Sequence, residues 1–274
     1  MAEARLAEAA GFDFVSINDH VLGPQPRLEC WTTLAWVAAS TTRIRVASRV
    51  LGVPYRNPAL VAKMAETLHR LSGGRLILGL GAGSAPDEFR ALGLDVPGLG
   101  DRVTGLEEAI RVIRGAWAET SSTFAGTWHR SNELQLEPKP VSPIPIWLGT
   151  VGRRGLSIVG RLADGWIPSM SDVPPEGVSG MLAQIGDASA AAGRRRGDVC
   201  SIYNVDVQVA PRRGGAADVA GPVSLIADRL AGLAQLGLNG FNLVVQGSHR
   251  MHQIELLGRE VLPAIRLAQA APRA

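Results

Sequence analysis

Short apolar runs alternate with stretches of helical period along the whole chain. Residues 2–10 carry a helical pattern that stops at Gly11, a residue suited to a left-handed C-cap. The apolar run 12–18 follows, as a buried parallel strand would. The same reading predicts a helix over 31–40, a strand over 44–51, a helix over 58–71 and, after Gly73-Gly74, a strand over 76–80. Beyond residue 143 it predicts strands over 144–148, 165–168, 202–209 and 241–245. Helices over 154–163, 177–192, 222–236 and 252–267 follow them in turn.

Seven strands, each followed by a helix or a helix-containing connection, imply a parallel α/β sheet. It is either doubly wound or closed as a (β/α)8 TIM barrel, whose usual length is about 250 residues. A doubly wound sheet places a G-x-G-x-x-G turn after its first strand. Here the run 12–18 ends in Asp19-His20 with no glycine-rich turn, so the barrel is the expected fold. One strand is missing from eight, and because the chain opens on a helix, the first strand is the one expected to be absent. Residues 1–274 read as one domain with a single long insertion, 84–143, between the fourth and fifth barrel strands. That insertion carries a helical pattern over 101–117 and then a Gly/Pro/aromatic stretch through Trp128 to Pro145.

Composition narrows the class. Of 274 residues, 46% are hydrophobic and 19% charged, which excludes wholesale disorder. No apolar run reaches the roughly 18 residues of a membrane span, and Met1–Arg5 lacks the basic lead of a secretory signal. A soluble cytoplasmic protein is expected. Two cysteines, Cys30 and Cys200, exclude a disulfide scaffold or a Cys-rich zinc module. The net charge of +3 comes from scattered basic residues. The clusters Arg194-Arg195-Arg196 and Arg212-Arg213 are not interleaved with aromatics. The expected partner is therefore a small molecule, with neither nucleic acid nor membrane involved.

In such barrels chemistry gathers at the C-terminal ends of the strands. Those ends read Asp19-His20, Ser48-Arg49-Val50, Gly81-Ala82-Gly83-Ser84 and Gly149-Thr150-Val151-Gly152-Arg153. The last offers glycines, two arginines with Arg154, and a helix N-terminus, which together suit a phosphate; the plain alternative is an ordinary strand–helix turn. His20 can exchange a proton with a redox cofactor near neutral pH, or can simply bond to its own loop. His69, His129, His249 and His252 show no metal-ligand spacing, and no serine lies in a G-x-S-x-G elbow. Trp31, Trp128, Trp147 and Trp166 read either as pocket walls or as core.

The chain resembles the bacterial luciferase-like family of flavin- and deazaflavin-dependent oxidoreductases. The residues that carry the likeness begin with Ala7-Glu8-Ala9-Ala10-Gly11-Phe12-Asp13, Asn18-Asp19-His20 and Trp31-Thr32-Thr33-Leu34. They continue with Arg43-Ile44-Arg45-Val46, Arg56-Asn57-Pro58-Ala59 and Leu71-Ser72-Gly73-Gly74-Arg75. Gly79-Leu80-Gly81-Ala82-Gly83, Pro145-Ile146-Trp147-Leu148-Gly149 and Arg161-Leu162-Ala163-Asp164-Gly165-Trp166 complete the series. The resemblance implies a barrel with a cofactor across its strand ends, in a homodimer. Asp19-His20 looks like the branch that uses coenzyme F420 (8-hydroxy-5-deazaflavin), with His20 the catalytic residue beside the redox ring. By the same likeness Asp19, Ser48, Arg49, Val50, Gly81, Ala82, Gly83 and Ser84 line the cofactor. Arg49-Val50 would form a non-prolyl cis peptide behind the ring, and Thr150, Val151, Gly152 and Arg153 would meet the phosphate.

Two departures stand out. Family members carry a strand before the Ala-Glu-x-Ala-Gly helix, inside which Met1 here begins. Ser84 also stands where the sugar-phosphate dehydrogenases of the branch have a catalytic glutamate, which points to another substrate. The expected function is hydride transfer between F420 and an unidentified small organic substrate, selected by the loop 21–30 and the insertion 84–143. The alternatives are a two-component monooxygenase using FMN and dioxygen, and a non-catalytic cofactor-binding barrel.

Overall fold

Strands and helices alternate as expected in the computed structural model, which describes residues 1–23, 26–83, 85–212, 214 and 217–270. The first half holds α1 (Ala2–Ala9), β1 (Phe14–Ile17), α2 (Cys30–Ser40), β2 (Arg45–Ser48), β3 (Leu51–Gly52), α3 (Pro58–Leu71) and β4 (Leu76–Gly81). Then come α4 (Pro86–Ala91), α5 (Leu99–Ala118), β5 (Ser122–Ala125), β6 (Arg130–Leu134), β7 (Ile146–Leu148), α6 (Arg153–Leu162) and β8 (Gly165–Trp166). The chain continues with α7 (Pro175–Ala191), β9 (Cys200–Val209), β10 (Val219–Gly221), α8 (Val223–Ala234), β11 (Gly240–Val245), α9 (Arg250–Leu256) and α10 (Leu262–Ala270). Contacts group into two units, Ser16–Thr150 and the combination of Met1–Val15 with Val151–Ala274. Among the described residues no helix is long and apolar enough to cross a membrane.

In the unit Ser16–Thr150, β4 is the central strand. It pairs in parallel with β2 (Val46↔Leu76), with β3 (Leu51↔Leu80, Gly52↔Gly81) and with β7 (Leu78↔Ile146, Leu80↔Leu148). All six of its residues are buried, which is why it reads as a continuous apolar run rather than an alternating one. The expected strand 44–51 is two strands, β2 and β3, parted at a cis Arg49–Val50 peptide bond. Helix starts follow from capping chemistry. The Glu29 carboxylate accepts from the Trp31 and Thr32 amides at 3.0 and 2.7 Å, and Asn57 accepts from Ala59 at 2.9 Å ahead of Pro58. At the foot of β4 the Arg75 guanidinium donates to the carbonyls of Ala38, Thr41, Ile44 and Ser72 and to the Thr41 hydroxyl. One side chain thereby joins the end of α2, the entry to β2 and the turn after α3.

The insertion 84–143 is more ordered than its sequence suggests. Its long helix α5 buries Leu106, Ala109, Ile110, Ile113 and Ala116, the spacing of one helix face. The stretch after it, for which no strand was predicted, contains an antiparallel hairpin, β5–β6, paired at Ser122↔Leu134 and Ala125↔Arg130. Its turn is held from α5: Glu108 accepts the amides of Thr127, Trp128 and His129, each at 2.8 Å.

In the other unit β9 is central and pairs in parallel with β8 (Gly165↔Cys200), β10 (Val219↔Val207) and β11 (Gly240↔Ile202 through Val245↔Val207). β10, three residues long, was not expected. The predicted last helix, 252–267, is α9 and α10 joined by a π-helical turn, Leu257–Val261. Within that turn Gly258 lies where a Cβ would stand 2.6 Å from the Ala10 Cβ, so the missing side chain admits the end of α1.

Candidate active site

The segment leaving β1 is fixed by a buried carboxylate. Asp19, its side chain 1% exposed, accepts two bonds from Arg56, Nη1 to Oδ2 at 2.7 Å and Nη2 to Oδ1 at 2.9 Å. It also accepts the Gly52 amide at 2.9 Å. The same guanidinium reaches the Glu29 cap at 3.0 Å, so one arginine ties the loop after β1 to the starts of α2 and α3. Burial works against the Arg56 cation, but bonding and charge from Asp19 and Glu29 outweigh it and raise its pKa. Glu29 is pulled the opposite way. Burial raises its pKa, yet the amides it caps and Arg56 bring it below the usual carboxylate value. Beside them Cys30 is buried; that burial, with Asp19 and Glu29 adding, pushes its thiol up to about 12, so it is no nucleophile.

His20 follows, with its side chain 47% exposed. Its Nδ1 lies 3.2 Å from Oε1 of Glu88, a largely buried residue in the first turn of α4. The other Glu88 oxygen accepts the Tyr55 hydroxyl at 3.0 Å. The Tyr55 ring packs against Phe89 with centroids 5.2 Å apart, and burial, followed by the bond to Glu88, raises its phenol pKa. Arg102 of α5 lies over the Phe89 ring, 5.9 Å from its centroid, and donates to the Gly83 carbonyl.

Ser48 does structural work at the end of β2. Fully buried, its hydroxyl donates to the Gly79 carbonyl at 2.8 Å and accepts the Gly79 amide at 2.9 Å, while the Arg49 amide donates to Ile17 at 2.8 Å. The cis bond then lays Val50 across β4. A Cβ on Gly79 would stand 1.9 Å from the Ser48 carbonyl oxygen, and one on Gly81 would stand 2.6 Å from Val50 Cγ2. Those two glycines are required by close approach rather than by unusual dihedrals. Ala82 and Gly83 continue from β4.

The structure thus gathers Asp19, His20, Ser48, Arg49, Val50, Gly81, Ala82 and Gly83 at one end of this unit's strands. Both oxygens of Asp19 and the Ser48 hydroxyl are already engaged by protein, so these two hold the frame. Ser84, residues 24 and 25 of the loop 21–30, and Arg213 lie outside the described residues. Of the fifth turn, Gly149 bonds back to Leu80 at 3.2 Å and Thr150 closes this unit. Val151, Gly152 and Arg153 belong to the other unit, where Gly152 is the N-cap of α6 and has open space around its Cβ position. Sequence reading missed Glu88 and Tyr55. Arg56 was quoted in a matching motif, but nothing local assigned it to Asp19.

Comparison with known proteins identifies the family and the fold. The family described as Luciferase-like monooxygenase matches residues 1–260. An F420-dependent glucose-6-phosphate dehydrogenase of Microbacterium testaceum is 32% identical over 213 residues, which cover 75% of this chain and 62% of that protein. An F420-dependent hydroxymycolic acid dehydrogenase of Mycobacterium tuberculosis is 36% identical over 200 residues, 71% of this chain and 54% of the relative. The chain thus spans between 54% and 62% of the length of these two relatives. Among solved structures, an F420-dependent secondary alcohol dehydrogenase in complex with an F420-acetone adduct superposes with a TM-score of 0.88 at 20% identity, covering 96% of this chain and 93% of that one. The coenzyme F420 dependent tetrahydromethanopterin reductase from Methanopyrus kandleri does so at 0.81 and 19%, covering 96% and 94%. At these identities the likeness shows the fold, a TIM-barrel type as the sequence reading expected.

Proposed function

The chain belongs to the luciferase-like monooxygenase family, and from that premise we propose that it is an oxidoreductase moving a hydride between coenzyme F420 and a small organic substrate. The carrying observation is that a half-exposed His20 and a Val50 packed against the side-chain-free Gly79 and Gly81 lie at the same end of this unit's strands. An apolar shelf and an imidazole at the same strand ends suit a flat redox ring. The names of the curated relatives favour the deazaflavin over FMN. When bound, F420 supplies the carbon that gives or takes the hydride.

The protein's share is orientation and proton handling. Asp19, clamped by Arg56, fixes the backbone from which His20 projects, while Val50, Gly81, Ala82 and Gly83 shape the shelf. A substrate that loses a hydride also loses a proton, and on this reading His20 takes it or, in reverse, gives it. Val151, Gly152 and Arg153 at the start of α6 would hold the cofactor phosphate through main-chain amides and positive charge, with Thr150 beside them. On the same reading the enzyme is a single-domain cytoplasmic homodimer.

Titrating the purified protein with F420 and with FMN under matched conditions tests this. Tight F420 binding, followed by reduction of F420 with a panel of alcohols, is expected. Preference for FMN would make it a two-component monooxygenase instead, and binding of either without turnover would leave a non-catalytic barrel. Gly152→Trp sharpens the phosphate assignment, because open space at that Cβ spares the fold; cofactor affinity should fall while the melting curve stays put.

A further inference from the structure

The His20 ring is held from two directions. Its backbone is anchored through Asp19, and its Nδ1 is met by Glu88 at 3.2 Å, its one hydrogen-bond partner among the described residues. Glu88 has little freedom of its own. It is 8% exposed, its second oxygen is taken by Tyr55, and the next residue, Phe89, packs on the Tyr55 ring. Tyr55 is confined in turn, for its ring occupies the space a Cβ on Gly52 would need, 2.6 Å away. The chain Gly52–Tyr55–Glu88–His20 therefore runs from the end of β3 to the imidazole without a loose link.

An ionised carboxylate offers only acceptors, so a neutral imidazole facing it must carry its hydrogen on Nδ1. We propose that Glu88 is the positioning residue of His20: it fixes the Nδ1–H tautomer and leaves Nε2 as the nitrogen that exchanges a proton with the substrate. When Nε2 takes a proton the ring becomes an imidazolium, and the adjoining Glu88 carboxylate stabilises the new charge. The Nδ1–H proton stays where it is throughout. The assignment of Nε2 rests on the hydride-transfer reading above; the tautomer does not.

The decisive measurement uses the cofactor-free protein. Two-bond 1H–15N spectra of protein labelled with 15N-histidine, recorded at a pH where His20 is neutral, distinguish the two tautomers. Wild type is expected to show Nδ1–H at His20. In Glu88→Gln the amide oxygen can take the Tyr55 hydroxyl while its N–H2 turns to Nδ1, so the population should move toward Nε2–H. An Nε2–H signal in wild type, or no change in the variant, would overturn the proposal. Kinetics then read the consequence: kcat of Glu88→Gln should fall at least ~10-fold, with substrate KM within about 2-fold, because only the reacting state loses its support. A tautomer that moves while kcat holds would overturn the role given to Nε2, and with it the place of His20 in the hydride-transfer reading.

Discussion

At the scale of single residues the proposed site divides into the group assigned to react and the groups that hold it. His20→Ala removes a side chain that is 47% exposed, so melting should barely change. Turnover should fall on the order of 10²–10⁴-fold if the imidazole handles the proton, with cofactor affinity much less affected. A variant that melts early yet turns over normally would return His20 to the scaffold. Arg56→Ala should behave in the opposite sense. It leaves the buried Asp19 carboxylate with only the Gly52 amide among the described residues, which typically costs about 3–5 kcal/mol and is measurable by urea unfolding. Arg56→Lys should recover little, because a point charge cannot reproduce the two-pronged bond. Asp19-His20 was legible in sequence from its place after an apolar run. The partners were not, because Arg56 lies 37 residues from Asp19 and Glu88 lies 68 from His20, and only the folded chain brings them together.

The elements teach a similar lesson about glycine. In the run Gly79-Leu80-Gly81-Ala82-Gly83 the resemblance assigned Gly81, Ala82 and Gly83 to the cofactor, yet Gly79 and Gly81 answer to Ser48 and Val50 within the protein. Gly79→Ala should lose at least the ~1–3 kcal/mol of an overpacked core, since the obstruction is a main-chain carbonyl that cannot turn aside. In Gly81→Ala the obstruction is the tip of Val50, so the melting curve should suffer less and cofactor affinity more; differential scanning calorimetry beside a cofactor titration separates the two. The strong helices and the buried strands were visible as periodicity. The hairpin β5–β6 was not, because Ser122–Ala125 and Arg130–Leu134 hold few apolar residues and owe their order to Glu108 on α5. β10 was too short to register, and hydrophobic patterning read 44–51 as one strand; only the resemblance marked Arg49–Val50 as a break.

For the molecule as a whole, pH should act through two histidines, the buried His69 and the partly buried His129, before it acts through carboxylates. Burial lowers the pKa of His69, helped by the charge of Arg45, and burial lowers that of His129 against the pull of Glu108. The unfolded chain therefore binds their protons more readily. The stability they represent is whole above the unfolded value of 6.5 and is lost as pH falls through their lower folded values. Glu108 is also lowered: burial raises its pKa, but the three turn amides outweigh it, so its contribution is whole above 4.5 and goes only at more acid pH. Melting temperature should be level above about pH 7 and decline below 6.5, and a His69→Gln, His129→Gln double variant should flatten the first decline but not the second. If the double variant tracks wild type throughout, these histidines are not the cause. The barrel class was within reach of the sequence because strand and helix alternate so regularly; the grouping of contacts into two units follows from long-range packing and left no mark on composition. One consequence belongs to Arg75, which grips four carbonyls at the foot of β4, the end remote from His20. A keystone there separates two duties: the cost of staying folded falls on the foot of the sheet, so the rim proposed to choose a substrate can be altered with less risk to the fold than the loss of Arg75 would bring.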